Sequence, residues 1–310
     1  MSKKIIFMGT PLFAVPILKS LYQNGYPISV VYTQPPQKSH RGQKINKSPV
    51  QGISETLNID FRSPENLKNN DQEYEYIKNL KADLAIVVAY GQIIPKSFLN
   101  LTKKGFINIH GSILPKWRGA APIQRSIMNL DVETGISIMK ISDKLDSGPV
   151  SNVYKIKLNQ NDNYEEISEK LSRLAAEKIL ENVDDIFEDK AKFEDQNHSK
   201  ATYAKKILKT EGQINWNDDV SKIIGKINGL YPIPGAYFNF CGERYKILKA
   251  EIGNGKGKIG EVLSDNLEIA CGDNQSIKIL EIQRQGKKPQ KIGEFLLGSK
   301  IKRGLVISNA

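Results

Sequence analysis

Short apolar runs alternating with amphipathic segments fill the first half of the chain, and they constrain the fold more than any other feature. KKIIFMG, ISVVYTQ, DLAIVVAY and GFINIH are strand-like runs, with the helical stretches FAVPILKSLYQNG and PVQGISETLN among them. Uninterrupted apolar strands of this kind are buried on both faces, and the helices between them supply the cover. The pattern predicts an α/β domain of Rossmann-like form around a mostly parallel sheet. APIQRSIMN extends it with another helix, and GISIMKI and VSNVYKIKL with further strands. A long amphipathic helix is expected from about Asn163 to Glu188. There Ile167, Leu171, Leu174, Ile179, Val183 and Ile186 recur at helical spacing, and Asn163 with Glu166 has the pattern of a capping box.

Beyond this helix KAKFEDQNHSKATYAKK is polar and nonperiodic, and from about Ile207 short strands are broken by Gly, Asn and Asp. The expected organisation is a catalytic domain over residues 1–190, a linker over 191–206, and a small β-barrel of OB-like type over 207–310. A length of 310 residues fits two domains. The longest apolar run, Leu84 to Tyr90, is too short to cross a bilayer, and the N-terminus has no leader-like pattern. A soluble, cytoplasmic protein without a membrane partner is expected. Cys241 and Cys271 make neither a disulfide framework nor a zinc pattern, so no metal site is expected. The first turn, GTPLFAVP, has one glycine instead of the three that a dinucleotide site needs, and no P-loop occurs.

Charge narrows the partners. The net charge is +11, with 20 Lys and Arg against 13 Asp and Glu after residue 190. Such a surplus suits a nucleic acid, whose phosphates attract it. QPPQKSHRGQKINKSPVQ concentrates Lys38, Arg41, Lys44 and Lys47 in one loop, where the fork of Arg41 can bind bidentately. Lys206 and Lys209 flank the junction between the halves.

The chemistry is expected in NIHGSILPKWRGAAP. Asn108 and His110 are two apart, so a strand places them on one face. The run ends where ligands of open α/β sheets bind, beyond the carboxyl ends of the strands. An amide donor beside an imidazole suits acyl transfer, steadying an oxyanion and managing a proton. An orienting carboxylate is available from KISDKLDSGPV as either Asp143 or Asp146, and the spacing does not choose between them. No serine or cysteine elbow is present, so direct transfer to an amine is simpler than a covalent intermediate.

NIHGSILPKWRGAAPIQRSI, LDSG and IIFMGTPLFAVPIL, with AYGQIIP, ATYAKKI and GLYPIPGAYF, resemble the methionyl-tRNA formyltransferases of the folate-dependent formyltransferase superfamily, along the whole chain. The resemblance implies transfer of formyl from 10-formyltetrahydrofolate to the α-amine of methionine on initiator tRNA, in translation initiation, by a monomer. By position it implies a triad of Asn108, His110 and Asp146, and a folate loop of Ser112, Ile113, Leu114 and Pro115. Ile113 stands where the family most often has leucine. It implies that the basic loop with Lys38, Arg41, Lys44 and Lys47 enters the acceptor stem. Arg118 is then expected near the acceptor end, with Lys206 and Lys209 on a second tRNA platform. A sugar-nucleotide formyltransferase would share the triad and the loop before Pro115 without needing the basic loop.

Overall fold

The computed structural model describes residues 3–39 and 44–309. The chain forms two compact units, one over Met1–Pro122, Gly135–Ile156 and Ser168–Ala204, the other over Ile123–Thr134, Lys157–Ile167 and Lys205–Ala310.

The first unit is built from β1 (Ile5–Gly9), α1 (Val15–Gln23), β2 (Ile28–Tyr32), β3 (Gln37–Ser39), β4 (Lys44–Asn46), α2 (Pro49–Thr56), β5 (Phe61–Arg62), α3 (Asp71–Leu80), β6 (Leu84–Val88), β7 (Phe106–His110) and β8 (Arg118–Gly119). After α4 (Pro122–Met128) follow β9 (Glu133–Lys140), β10 (Val150–Lys157), α5 (Tyr164–Phe187) and β11 (Tyr203–Ala204). Seven strands make one sheet in the order β10-β9-β7-β6-β1-β2-β5. Neighbours from β5 to β7 run parallel, and β9 joins β7 antiparallel. Every residue of β1, β6 and β7 is buried, as the apolar runs require of strands covered on both faces.

Local chemistry sets the helix ends. Asn163 and Glu166 complete the expected capping box at α5: Glu166 N donates to Asn163 Oδ1 at 3.0 Å and Asn163 N to Glu166 Oε2 at 3.2 Å. At the first turn Gly9 is a packing requirement, because a Cβ there would lie 2.8 Å from the Ala14 Cβ. In the basic stretch after β2, expected as a loop, β3 and β4 pair antiparallel, with Gln37 opposite Asn46 and Ser39 opposite Lys44.

Residues 191–204, expected within a linker, lie in the first unit. Val150 and Glu194 exchange backbone hydrogen bonds at 2.8 and 2.9 Å, and β11 pairs in parallel with β8. The polarity of this segment serves hydrogen bonding along a sheet edge. A part-buried ion pair ties β5 to α3: Arg62 donates to both carboxylate oxygens of Glu73, from Nη2 at 2.6 Å and Nε at 2.7 Å, and Tyr32 Oη adds a third bond at 2.6 Å.

The second unit carries α6 (Val220–Gly229), β12 (Ala236–Phe240), β13 (Glu243–Gly253), β14 (Glu268–Ala270), β15 (Ser276–Arg284), β16 (Gln290–Lys291) and α7 (Ile292–Leu296). The expected barrel takes the form of a curled antiparallel sheet in the order β12-β13-β15-β14, with β16 added to β15. Register irregularities between Ile247 and Ala250 interrupt the β13–β15 ladder, which bends a strand. Ile223 and Ile227 of α6 join Trp216, Phe238, Ile247 and Ile279 in its core. Among the described residues no helix is long and apolar enough to cross a membrane.

Candidate active site

β7 lies between β6 and β9, with Val87 opposite Asn108 on one side and Ser137 opposite His110 on the other. This central position buries both polar side chains, Asn108 to 9% exposure and His110 to 6%. Buried polar groups need partners, and one carboxylate serves both. Asn108 Nδ2 donates to Asp146 Oδ1 at 3.4 Å, and His110 Nδ1 stands 3.7 Å from Asp146 Oδ2. The second distance is an ion-pair separation, longer than a direct hydrogen bond. A shorter bond to the carboxylate comes from a group the sequence does not advertise, the Gly119 backbone N–H at 2.8 Å from Oδ2. The other ring nitrogen, His110 Nε2, lies 2.9 Å from Trp117 O. A carbonyl can only accept, so Nε2 carries hydrogen there.

The choice between the aspartates is thus geometric. Asp143 is exposed and pairs with Lys96 at 2.7 Å, away from the imidazole. Asp146 has a φ of 45°, a left-handed conformation uncommon outside glycine. Gly148 makes the turn feasible: a Cβ there would come within 1.9 Å of Lys140 O.

The SILP loop is held from beneath by Ser137 of β9. Ser137 Oγ donates to Ser112 O at 2.7 Å and accepts from Leu114 N at 3.1 Å. Ser112 Oγ closes the turn on Lys116 O at 2.6 Å. Ser112 and Leu114 are buried, while Ile113 and Pro115 are half-exposed and form the outward side of the loop. Ser137→Ala leaves a buried N–H and a buried carbonyl without this partner. The expected result is a loss of stability of about 1–3 kcal/mol; urea unfolding checks it, and an unchanged stability would remove Ser137 from the loop's support.

The residues expected to meet tRNA fare differently. Arg118 requires correction: it is 3% exposed and donates to Gln196 Oε1 at 3.1 and 2.7 Å and to His198 Nδ1 at 3.0 Å. Strand β8 turns its side chain into the protein, where Gln196 and His198 take the guanidinium donors, instead of onto an exposed surface. Arg41 lies outside the described residues, and of Lys38 and Lys44 only the backbone in the β3–β4 pairing is described. Lys47 is exposed and paired with Glu55 at 2.9 Å. Lys206 and Lys209 are exposed on the second unit. Sequence reasoning missed Gly119 N–H, Ser137 and Gln196, because no local pattern announces a contact made dozens of residues away. Among the described residues no cluster of His, Cys, Asp and Glu could hold a metal ion.

Residues 3–183 match the family Formyl transferase and residues 206–300 the family Formyl transferase, C-terminal domain. The chain is therefore a formyl transferase with both domains of that family. The chain is 69% identical over 309 residues to a methionyl-tRNA formyltransferase of Pelagibacter ubique, covering 100% of both chains. It is 38% identical over 309 residues to a methionyl-tRNA formyltransferase of Chelativorans sp., covering 98% of this chain and 99% of that one. A crystal structure of HypX from Aquifex aeolicus in complex with tetrahydrofolic acid has a similar fold, at TM-score 0.66 and 18% identity. The match covers 98% of this chain and 51% of HypX, so the chain spans about half the length of that protein. The chain belongs to the methionyl-tRNA formyltransferases.

Proposed function

We propose that the chain transfers the formyl group of 10-formyltetrahydrofolate to the α-amine of methionine on initiator methionyl-tRNA, using Asn108, His110 and Asp146. The observation that carries this reading is the convergence of those three side chains in a chain whose whole length is akin to methionyl-tRNA formyltransferases. The free α-amine has a pKa of about 7.7–8, so modest base assistance makes it a nucleophile. Its nitrogen bonds to the formyl carbon, and the carbonyl oxygen becomes an oxyanion. Asn108, through the amide N–H it does not give to Asp146, supplies a hydrogen bond that strengthens as that charge develops, and protonated His110 beside it lends its positive charge. Asp146 orients both. The bond from the formyl carbon to N10 of the folate then breaks, and the proton given up by the amine ends on that nitrogen.

The folate lies against the SILP loop of Ser112, Ile113, Leu114 and Pro115. Exposed Leu12 and Ile93, which follow β1 and β6 at the carboxyl end of the sheet, offer it further apolar surface. The acceptor stem engages the loop with Lys38, Arg41, Lys44 and Lys47, and the rest of the tRNA meets the second unit near Lys206 and Lys209. The enzyme acts as a cytoplasmic monomer.

The test supplies 10-formyltetrahydrofolate with initiator methionyl-tRNA, elongator methionyl-tRNA or an amino-sugar nucleotide, and follows folate release and formyl incorporation. Formylation of initiator methionyl-tRNA is expected; formylation of the sugar alone, or release without an acceptor, would overturn the reading. Arg41→Ala should raise the KM for tRNA and flatten its dependence on salt, because fewer counterions are released on binding. The KM for folate should stay unchanged.

A further inference from the structure

Gln196 uses its whole side-chain amide on three neighbours. Nε2 donates to Asp146 O at 2.9 Å and to Gly148 O at 2.7 Å, while Oε1 accepts from Arg118 Nε at 3.1 Å and Nη2 at 2.7 Å. Two donors and two acceptor sites are all that a primary amide has. The partners also fix which end is which, since the carbonyls only accept and the guanidinium only donates. Gln196 is 8% exposed and Arg118 3%, so these bonds lie away from water, where a missing one is costly.

The bonds close a ring around the carboxylate. Gln196 grips the backbone of the loop that carries Asp146. Arg118 ties Gln196 to β8. Gly119, the next residue of β8, donates its N–H to the Asp146 carboxylate. Asp146 thus has its main chain and its side chain held from one anchored strand, and its left-handed φ of 45° persists only with such outside support. Within the loop the bonds converge on residues beside Asp146 and not on it: Ser147 donates to Lys144 O through N at 3.3 Å and Oγ at 3.0 Å, and Ser142 Oγ meets Ser147 Oγ at 3.1 Å and Lys144 O at 3.4 Å.

We propose that Gln196 is a positioning residue for formyl transfer, holding the Asp146 carboxylate against Asn108 and His110 without touching either substrate. The inference rests on the reading of Asp146 as the group that orients His110. A displacement of about 1 Å in a catalytic group can cost on the order of 100-fold in rate.

The decisive variant is Gln196→Glu. It keeps the size of the side chain and the acceptor for Arg118, but sets a carboxylate oxygen against two carbonyls in place of two N–H donors. The expected result is a kcat lowered roughly 10- to 100-fold, with KM for folate and for tRNA within about twofold of wild type and an unchanged circular dichroism spectrum. A merely structural role would lower thermal stability while the folded enzyme kept its kcat. Should Gln196→Glu fail to fold, Gln196→Met carries the same expectations. Asp146→Asn and the double variant Asp146→Asn/Gln196→Glu separate the two ideas in single-turnover assays. Near-normal turnover of Asp146→Asn would overturn the reading of Asp146, and this inference with it. Loss in Asp146→Asn with more than half of wild-type kcat in Gln196→Glu would overturn the inference alone. Residues that act as one unit are non-additive, so the double variant should be no slower than Asp146→Asn. A full additional loss would show that Gln196 acts elsewhere and would also overturn it.

Discussion

His110→Ala should lower kcat for formylation of methionyl-tRNA by about 10²- to 10⁴-fold, the usual contribution of a positioned acid–base group, with little change in either KM. The imidazole stands 3.7 Å from Asp146 Oδ2 by one nitrogen and 2.9 Å from Trp117 O by the other, so its ring plane is set before substrate arrives. Removing it therefore deletes an interaction that grows in the transition state and leaves ground-state binding in place. Asn108→Ala should cost about 10²- to 10³-fold, the scale of one lost oxyanion donor. Asn108→Asp is the sharper companion, because it keeps the size of the side chain but sets an oxygen where an N–H donor would meet the oxyanion, so its loss should at least equal that of Asn108→Ala. Rapid-quench measurement of formyl-methionyl-tRNA formation checks all three. Wild-type rates in His110→Ala would remove the imidazole from the mechanism.

Arg62→Ala should destabilise the protein by about 1–3 kcal/mol, because the buried Glu73 loses two of its three hydrogen bonds and keeps only that from Tyr32. Glu73 is 6% exposed and takes two hydrogen bonds from the guanidinium. Burial pushes its carboxyl upward, but the bonds from Arg62 and Tyr32 and the guanidinium charge outweigh burial and hold it below the ordinary value. A carboxyl lowered in the folded state contributes stability at pH above its unfolded value of about 4.3 and loses it as pH falls through the folded value. Without Arg62 the burial effect dominates, so Glu73 takes up a proton more readily. The deficit of Arg62→Ala should therefore be greatest at neutral pH and above, begin to narrow above about pH 4.3 as the variant's carboxyl takes up its proton, and go on narrowing until the wild-type carboxyl titrates below that value. Urea unfolding at several pH values measures it. A constant deficit would show that Arg62 acts through its packing on the Tyr76 ring, 4.1 Å away, and not through Glu73.

The apolar runs, the capping box and the position of His110 at the end of a strand were legible in the chain, as was its surplus of positive charge. Each depends on residues within a few positions of one another: strand burial on an unbroken run, the α5 cap on an i, i+3 exchange, the pairing of Asn108 with His110 on strand alternation. Tertiary structure decided the remainder. It brought Asp146 to the imidazole and sent Asp143 to Lys96, turned Arg118 inward to Gln196, and drew residues 191–204 into the first unit. These outcomes join positions 38 and 78 apart in the chain, Asn108 with Asp146 and Arg118 with Gln196. The physical reason is that a loop side chain has no periodicity to declare its direction. Its place follows from which buried donors and acceptors must be satisfied once the sheet has formed.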